Sequence, residues 1–260
     1  MLFDTHCHLN DEAFGEDMEE VIARAHDHGI ARMNVVGCDW ESSMKAVEIA
    51  ESHEGIYAVV GVHPGDADTY CDELEDALRA WAGHEKVVAI GEIGLDYHYD
   101  DNPAKEVQDV VFRRQIRLAR ETGLPIVIHS RDAMEDTLRI LKDERREGDY
   151  RGIFHCFSGS YEQSLICLKM GFHISVGGPL TYPNSRKLPG IVEKIPLDRL
   201  LVETDCPYLS PQPRRGKRNE PANVRFVAER IAELREISPE EVAEKTTANA
   251  LRLFHLNDNR

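Results

Sequence analysis

The stretch YAVVGVHP, residues 57–64, carries the reading of the fold. From Tyr57 to Val62 there is no charged side chain and no polar/apolar alternation, the pattern of a strand buried on both faces of a parallel sheet, and the run ends on a histidine. Similar short β-rich runs occupy 2–6, 32–37, 87–94, 125–130, 152–157, 172–178 and 200–205, which with 57–63 makes eight. Helical periodicity fills the intervals at 16–28, 41–53, 72–82, 105–121, 133–145, 161–170 and 185–195, and again at 222–235 and 239–253. Strand and helix alternate throughout, as βαβ units do. Eight such units in 260 residues predict an α/β protein folded as a (β/α)₈ TIM barrel, in one domain spanning 1–260.

A doubly wound open sheet uses the same alternation. Against it, no Gly-x-Gly-x-x-Gly follows the first strand, no Gly-x₄-Gly-Lys-Ser/Thr occurs anywhere, and polar chemistry ends many strands instead of one switch point. With 31 Lys+Arg against 47 Asp+Glu the net charge is −16, which excludes a generically basic nucleic-acid coat. A 42% hydrophobic, 30% charged composition is that of a globular chain with a core, not a disordered one. No apolar run reaches the roughly 18 residues of a membrane span, and the start MLFD lacks a basic signal-peptide opening, so a cytoplasmic protein without membrane contact is expected. The six cysteines include no Cys-x-x-Cys pair, so free thiols are expected.

The chemistry gathers at the C-terminal ends of the predicted strands: His6 and His8 on the first, His63 on the third, Glu92 on the fourth, His129 on the fifth, His155 on the sixth and Asp205 on the eighth. In a barrel these ends share one rim, where active sites of the fold lie. His6 and His8, two apart in an extended chain, face the same way and suit chelation of one cation, while Cys7 turns away. A lone histidine is more often a hydrogen-bonded structural residue than a ligand; it is the joint placement of His6, His8, His129, His155, Glu92 and Asp205 that points to metal. Six ligands exceed what one tetrahedral cation takes, so two divalent ions are expected. Imidazole and carboxylate without thiolate suit Zn²⁺, Mn²⁺ or Fe²⁺, and Mg²⁺ less well.

Other residues invite plainer readings. His26, His28, His53 and His84 fall at or near helix ends facing solvent, and His173 and His255 have no convergent partners. Cys7, Cys156 and Cys206 flank proposed ligands but are expected to be buried for packing. Asp4 and Glu203 share strand parity with His6 and Asp205, so they either orient ligands from behind or form a buried ion pair. Asp96 reads as a loop cap, and Asn219, Glu220 and Pro221 as the start of a helix. The segment 206–221 has no regular pattern and carries Arg214, Arg215, Lys217 and Arg218, either a solvated loop or a grip for an anionic substrate placed after Asp205.

Taken together, DTHCHL (4–9), GVHP (61–64), GEIGLDY (91–97), PIVIHSR (125–131), HCFSG (155–159), ETDCPYL (203–209) and RGKRNEP (215–221) resemble the TatD family of metal-dependent hydrolases across essentially the whole chain. The resemblance implies an amidohydrolase-like barrel with metal-dependent deoxyribonuclease activity, often 3′–5′ on single strands. Carried over by position, His6, His8 and Asp205 would hold one cation, His129 and His155 the other, with Glu92 between both. Two departures are visible: Gly65 stands where the family often has a further histidine, and the lysine that some relatives carbamylate to bridge metals is replaced by Glu92.

The expected function is phosphodiester hydrolysis by a metal-activated hydroxide, with Asp205 and Glu92 catalytic, Asp205 as general base, and His63, Arg214, Arg215, Lys217 and Arg218 binding substrate. Weakly bound single-stranded nucleic acid, or another phosphate-bearing substrate, is the expected partner, since an acidic chain neutralises few phosphates. The rival is a carbonyl hydrolase of the same fold, an amidohydrolase or aminoacyl-tRNA ester deacylase. A third reading is a non-catalytic barrel that binds metal or a partner protein.

Overall fold

In the computed structural model, which describes residues 1–257, the apolar runs become strands at Leu2–Cys7 (β1), Ile30–Val36 (β2), Ile56–Val60 (β3), Val87–Asp96 (β4), Ile126–Arg131 (β5), Gly152–Phe154 (β6), His173–Val176 (β7) and Leu200–Val202 (β8). The helices are Met18–Asp27 (α1), Trp40–Ser52 (α2), Asp72–Trp81 (α3), Lys105–Thr122 (α4), Met134–Glu144 (α5), Tyr161–Lys169 (α6), Leu188–Lys194 (α7), Val224–Arg235 (α8) and Pro239–Leu253 (α9). Local chemistry starts several of them. Asp39 with Ser42, and Ser160 with Gln163, form reciprocal capping boxes for α2 and α6, and Ser238 followed by Pro239 opens α9. The strands lie in one sheet in the order β1 to β8, the strand order of the expected (β/α)₈ barrel class. No helix among the described residues is long and apolar enough to cross a membrane.

The chain divides into two compact units, Val36–Phe154 and the remainder, Met1–Val35 with the residues from His155 onward. In the second of these, β1 pairs in parallel with β2, and β7 with β8. Beyond β8, the Asp205 N–H donates to the His6 carbonyl (2.9 Å) and the His8 N–H to that of Cys206 (2.8 Å), knitting the chain after β8 to β1. Phe3, Ile174, Leu201 and Ile231 are buried in its core, and Phe3 meets Phe254 with ring centroids 5.9 Å apart. In the unit Val36–Phe154, β3, β4, β5 and β6 pair in parallel, with Val60, Ile90, Ile116 and Ile128 fully buried. Each such aliphatic side chain contributes about 1.5–3 kcal/mol of burial.

Five strands end earlier than periodicity predicts: β2 at Val36, β3 at Val60, β6 at Phe154, β7 at Val176 and β8 at Val202. After β6 and β8 carboxylates alternate with the neighbouring strands as acceptors: Cys156 N–H donates to Glu203 Oε1 (2.6 Å) and Thr204 N–H to Asp4 Oδ1 (2.9 Å), while Phe157 and Glu203 N–H still reach the carbonyls of Ser175 and Val176 on β7 (both 3.1 Å).

His173, which opens β7, is only 8% exposed, and its Nδ1 meets no hydrogen-bond partner among the described residues. Burial, then the charges of Arg199 and Arg252, push its imidazole down to about 4. Folding therefore favours the neutral ring. The stability it brings is complete above the ordinary value of 6.5 and is lost as pH falls towards 4, up to about 3 kcal/mol in all. Urea titrations at pH 7, 5.5 and 4.5 should show His173→Gln losing less stability across that window than the wild type. Parallel pH profiles would reject the assignment.

Candidate metal centres

At the end of β1, His6 and His8 bring their Nε2 atoms to 3.2 Å, with His6 fully buried and His8 8% exposed. Asp205 Oδ1 lies 3.6 Å from His6 Nε2 and 3.4 Å from His8 Nε2. Asp205 adopts φ 58°, a left-handed conformation that a non-glycine residue holds only when its surroundings enforce it, here the Asp205–His6 and His8–Cys206 backbone bonds. Burial alone pushes the Asp205 carboxyl up, but the hydrogen bond from His8 and the charges of His6, His155 and His8 outweigh it and hold the group below the usual carboxylate value.

The two acids behind this set act differently from each other. Glu203 accepts the Cys156 N–H and lies 3.5 Å from His155 Nδ1, while the His155 ring stacks on that of His6 at 4.0 Å. Asp4 takes the Thr204 hydroxyl (2.5 Å) and N–H (2.9 Å), so it positions Asp205 through the preceding residue. Burial, opposed by the Thr204 hydrogen bonds, pushes the Asp4 carboxyl up to about 8. Because Glu203 and Asp205 lie beyond β8, strand parity does not order them; the Asp4–Thr204 bonds do.

In the unit Val36–Phe154, Glu92 lies within β4 and is 4% exposed, its Oε1 2.8 Å from His129 Nδ1 on β5. The other ring nitrogen, Nε2, is 2.9 Å from Asp96 Oδ2, so His129 stands between two carboxylates. Asp96 is 2% exposed and also accepts the His98 N–H (2.9 Å), combining the expected loop cap with a bond to a proposed ligand that sequence reading missed. Burial pushes the Asp96 carboxyl up, but the His129 and His98 hydrogen bonds prevail and lower it. Gly94, at φ 144°, lets β4 approach β5 here, since a Cβ would collide with the His129 carbonyl. His63 caps the turn at Gly65 through Nδ1 (3.0 Å), and its Nε2 is 3.9 Å from Glu92 Oε1.

The residues fit a divalent cation. Two ligands each about 2.1 Å from a shared tetrahedral ion stand about 3.4 Å apart, and the His6, His8 and Asp205 donors are separated by 3.2, 3.4 and 3.6 Å. Nitrogen and oxygen donors suit Zn²⁺, Mn²⁺ or Fe²⁺. The carboxylate of Asp96 behind His129 is of the kind that fixes the tautomer of a ligating imidazole, and that of Glu203 stands 3.5 Å from His155 Nδ1.

The cysteines are free, with Cys7 and Cys206 buried as expected. Cys156 corrects that expectation: it is only half-buried, because β6 has ended and φ 40° turns the residue out of strand alternation. Of the basic loop, Arg214, Arg215 and Lys217 are exposed, whereas Arg218 forms a two-pronged bridge to Asp17 (2.8 and 2.6 Å) and lies over the Phe14 ring. Buried Asn219 ties the loop down by donating to the carbonyls of Thr204 (2.9 Å) and Tyr208 (2.8 Å), and Glu220 pairs with Arg24 (2.9 Å).

The chain is similar to known proteins along nearly its whole length. A family model described as TatD related DNase matches residues 3–255. The chain is 53% identical over 257 residues to the uncharacterized metal-dependent hydrolase YabD of Bacillus subtilis, covering 99% of this chain and 100% of that protein. It is 37% identical over 261 residues to the 3′-5′ ssDNA/RNA exonuclease TatD of Cronobacter sakazakii, covering 98% of each. The crystal structure of YjjV, a TatD homolog from Escherichia coli K12, superposes with a TM-score of 0.92 at 32% identity, covering 98% of each chain. The chain belongs to the TatD-related DNase family and is a metal-dependent hydrolase.

Proposed function

We propose that this hydrolase trims single-stranded DNA or RNA from the 3′ end, using two divalent cations held by the clusters around His6, His8, His155 and Asp205 and around Glu92 and His129. The observation that supports it most is the His6, His8 and Asp205 donor triad, with separations of 3.2 to 3.6 Å, on a chain 37% identical to a protein named as such an exonuclease. Bound there, divalent cations lower the pKa of water and neutralise charge on an attacked phosphate oxygen. Asp205, ionised and 14% exposed, accepts the proton of the attacking water. Asp96 orients His129 through Nε2, which leaves Nδ1 to share the cation with Glu92; Glu203 sets the negative charge beside His155, and His63 donates to a phosphate oxygen of the substrate.

Arg214, Arg215 and Lys217 remain available to the strand, whereas Arg218 is committed to Asp17. Arg218→Ala should therefore change KM for an oligonucleotide by less than about threefold, read from initial rates. A net charge of −16 leaves few phosphate contacts, so binding is weak and falls with salt.

The test is hydrolysis of end-labelled single-stranded DNA and RNA by protein stripped of metal and resupplied with Mg²⁺, Mn²⁺ or Zn²⁺. Metal-dependent shortening from the 3′ end is expected. Intact strands from protein that has taken up metal would overturn the reading.

A further inference from the structure

A cavity of about 380 Å³ opens beside His155, walled by the turn after β6, by Gly177 and Pro179 after β7, and by residues 184–188. Its volume is in the range of small-molecule sites, roughly 300–1,000 Å³. It neighbours the metal-ligand set through Cys156, the residue after His155. Cys156, on its wall, donates its N–H to Glu203, which lies 3.5 Å from His155 Nδ1. A Cβ on Gly177 would stand 3.4 Å from the Glu203 side chain.

The lining is of two kinds. Phe157 and Leu188 supply apolar surface; Ser158, Arg186 and Lys187 supply polar and cationic groups. In a chain with 47 acidic side chains, Arg24, Arg113, Arg114 and Arg218 are each held by a carboxylate, yet neither Arg186 nor Lys187 has an ion-pair partner among the described residues. The segment that carries them is braced by the basic loop: Gln212 N–H donates to Thr181 Oγ1 (2.8 Å), Tyr182 Oη to the Ser210 carbonyl (3.0 Å), and the Arg215 guanidinium lies 4.2 Å over the Tyr182 ring. Unpaired cations beside apolar walls, next to a phosphodiesterase centre, match a nucleotide: phosphate to the cations, sugar and base to the apolar side.

We infer that this cavity is the subsite for the nucleotide unit adjoining the scissile bond, with Arg186 and Lys187 taking its phosphate and Phe157 and Leu188 its sugar and base. The inference rests on the phosphodiesterase reading above. Because Cys156 lines the cavity and Cys71 is exposed elsewhere, alkylation reports on occupancy. Metal-loaded full-length protein is treated with iodoacetamide with and without thymidine 5′-monophosphate, and each cysteine is followed by peptide mass spectrometry.

The nucleotide should slow labelling of Cys156 and leave Cys71 unchanged, while thymidine without phosphate protects neither. In Arg186→Ala/Lys187→Ala the concentration for half-protection should rise about tenfold or more, and oligonucleotide hydrolysis should lose more in KM than in kcat. Absent protection of Cys156, equal protection by thymidine, or unchanged protection in the double variant would each overturn the subsite. Phosphate-dependent protection that needs Arg186 and Lys187, in a protein that leaves DNA and RNA intact, would keep the cavity as a phosphate site and reject the nuclease reading instead.

Discussion

Asp205→Asn lowers kcat on single-stranded DNA by about 10²–10⁴-fold, the usual contribution of a positioned general base, while most of the divalent metal stays bound. An amide oxygen still coordinates, but it does not accept the proton of water at neutral pH. The substitution isolates chemistry from folding for a second reason. Asp205 sits at φ 58°, and asparagine is among the few side chains that tolerate the left-handed region, so the backbone bonds to His6 should survive. Metal content by elemental analysis and the thermal midpoint should stay close to wild type while turnover collapses. Turnover within threefold of wild type in the metal-loaded variant would remove Asp205 from the proton-transfer role.

Asp96→Asn should reduce metal affinity or activity by about 10–100-fold, the effect typical of losing the carboxylate behind a ligating imidazole. Its Oδ2 is 2.9 Å from His129 Nε2, and that contact decides which ring nitrogen carries the proton and hence which can bind metal. Asparagine keeps an oxygen for the His98 N–H, so the turn itself is preserved. Calorimetric titration with Mn²⁺ or Zn²⁺, together with kcat, separates the two tasks. Unchanged affinity and turnover would leave Asp96 with the loop cap alone.

The difference between these two residues illustrates what the sequence exposes. Asp205 stands in a patterned neighbourhood, at the end of an apolar run like those ending in His6, His129 and His155, so alternation and position pick it out. Asp96 sits one residue after a leucine and before a tyrosine, where an aspartate as readily caps a turn; nothing nearby in the chain names His129 as its partner. Arg218 is the converse case. A run of four cations looks like one surface, yet its last member is bound to Asp17, 201 residues away in the chain.

Element order, the histidine and carboxylate inventory and the family were legible from the chain, because helix and strand periodicity and short motifs depend on residues within a few positions of one another. Contacts across long loops carry no such period. The Thr204 hydrogen bonds to Asp4, the stacking of His155 on His6 and the committed Arg218 arise when segments about 150 to 200 residues apart are packed together, and the cavity beside Cys156 arises where the turns after two successive strands meet; the side chains that complete them are set by space and desolvation.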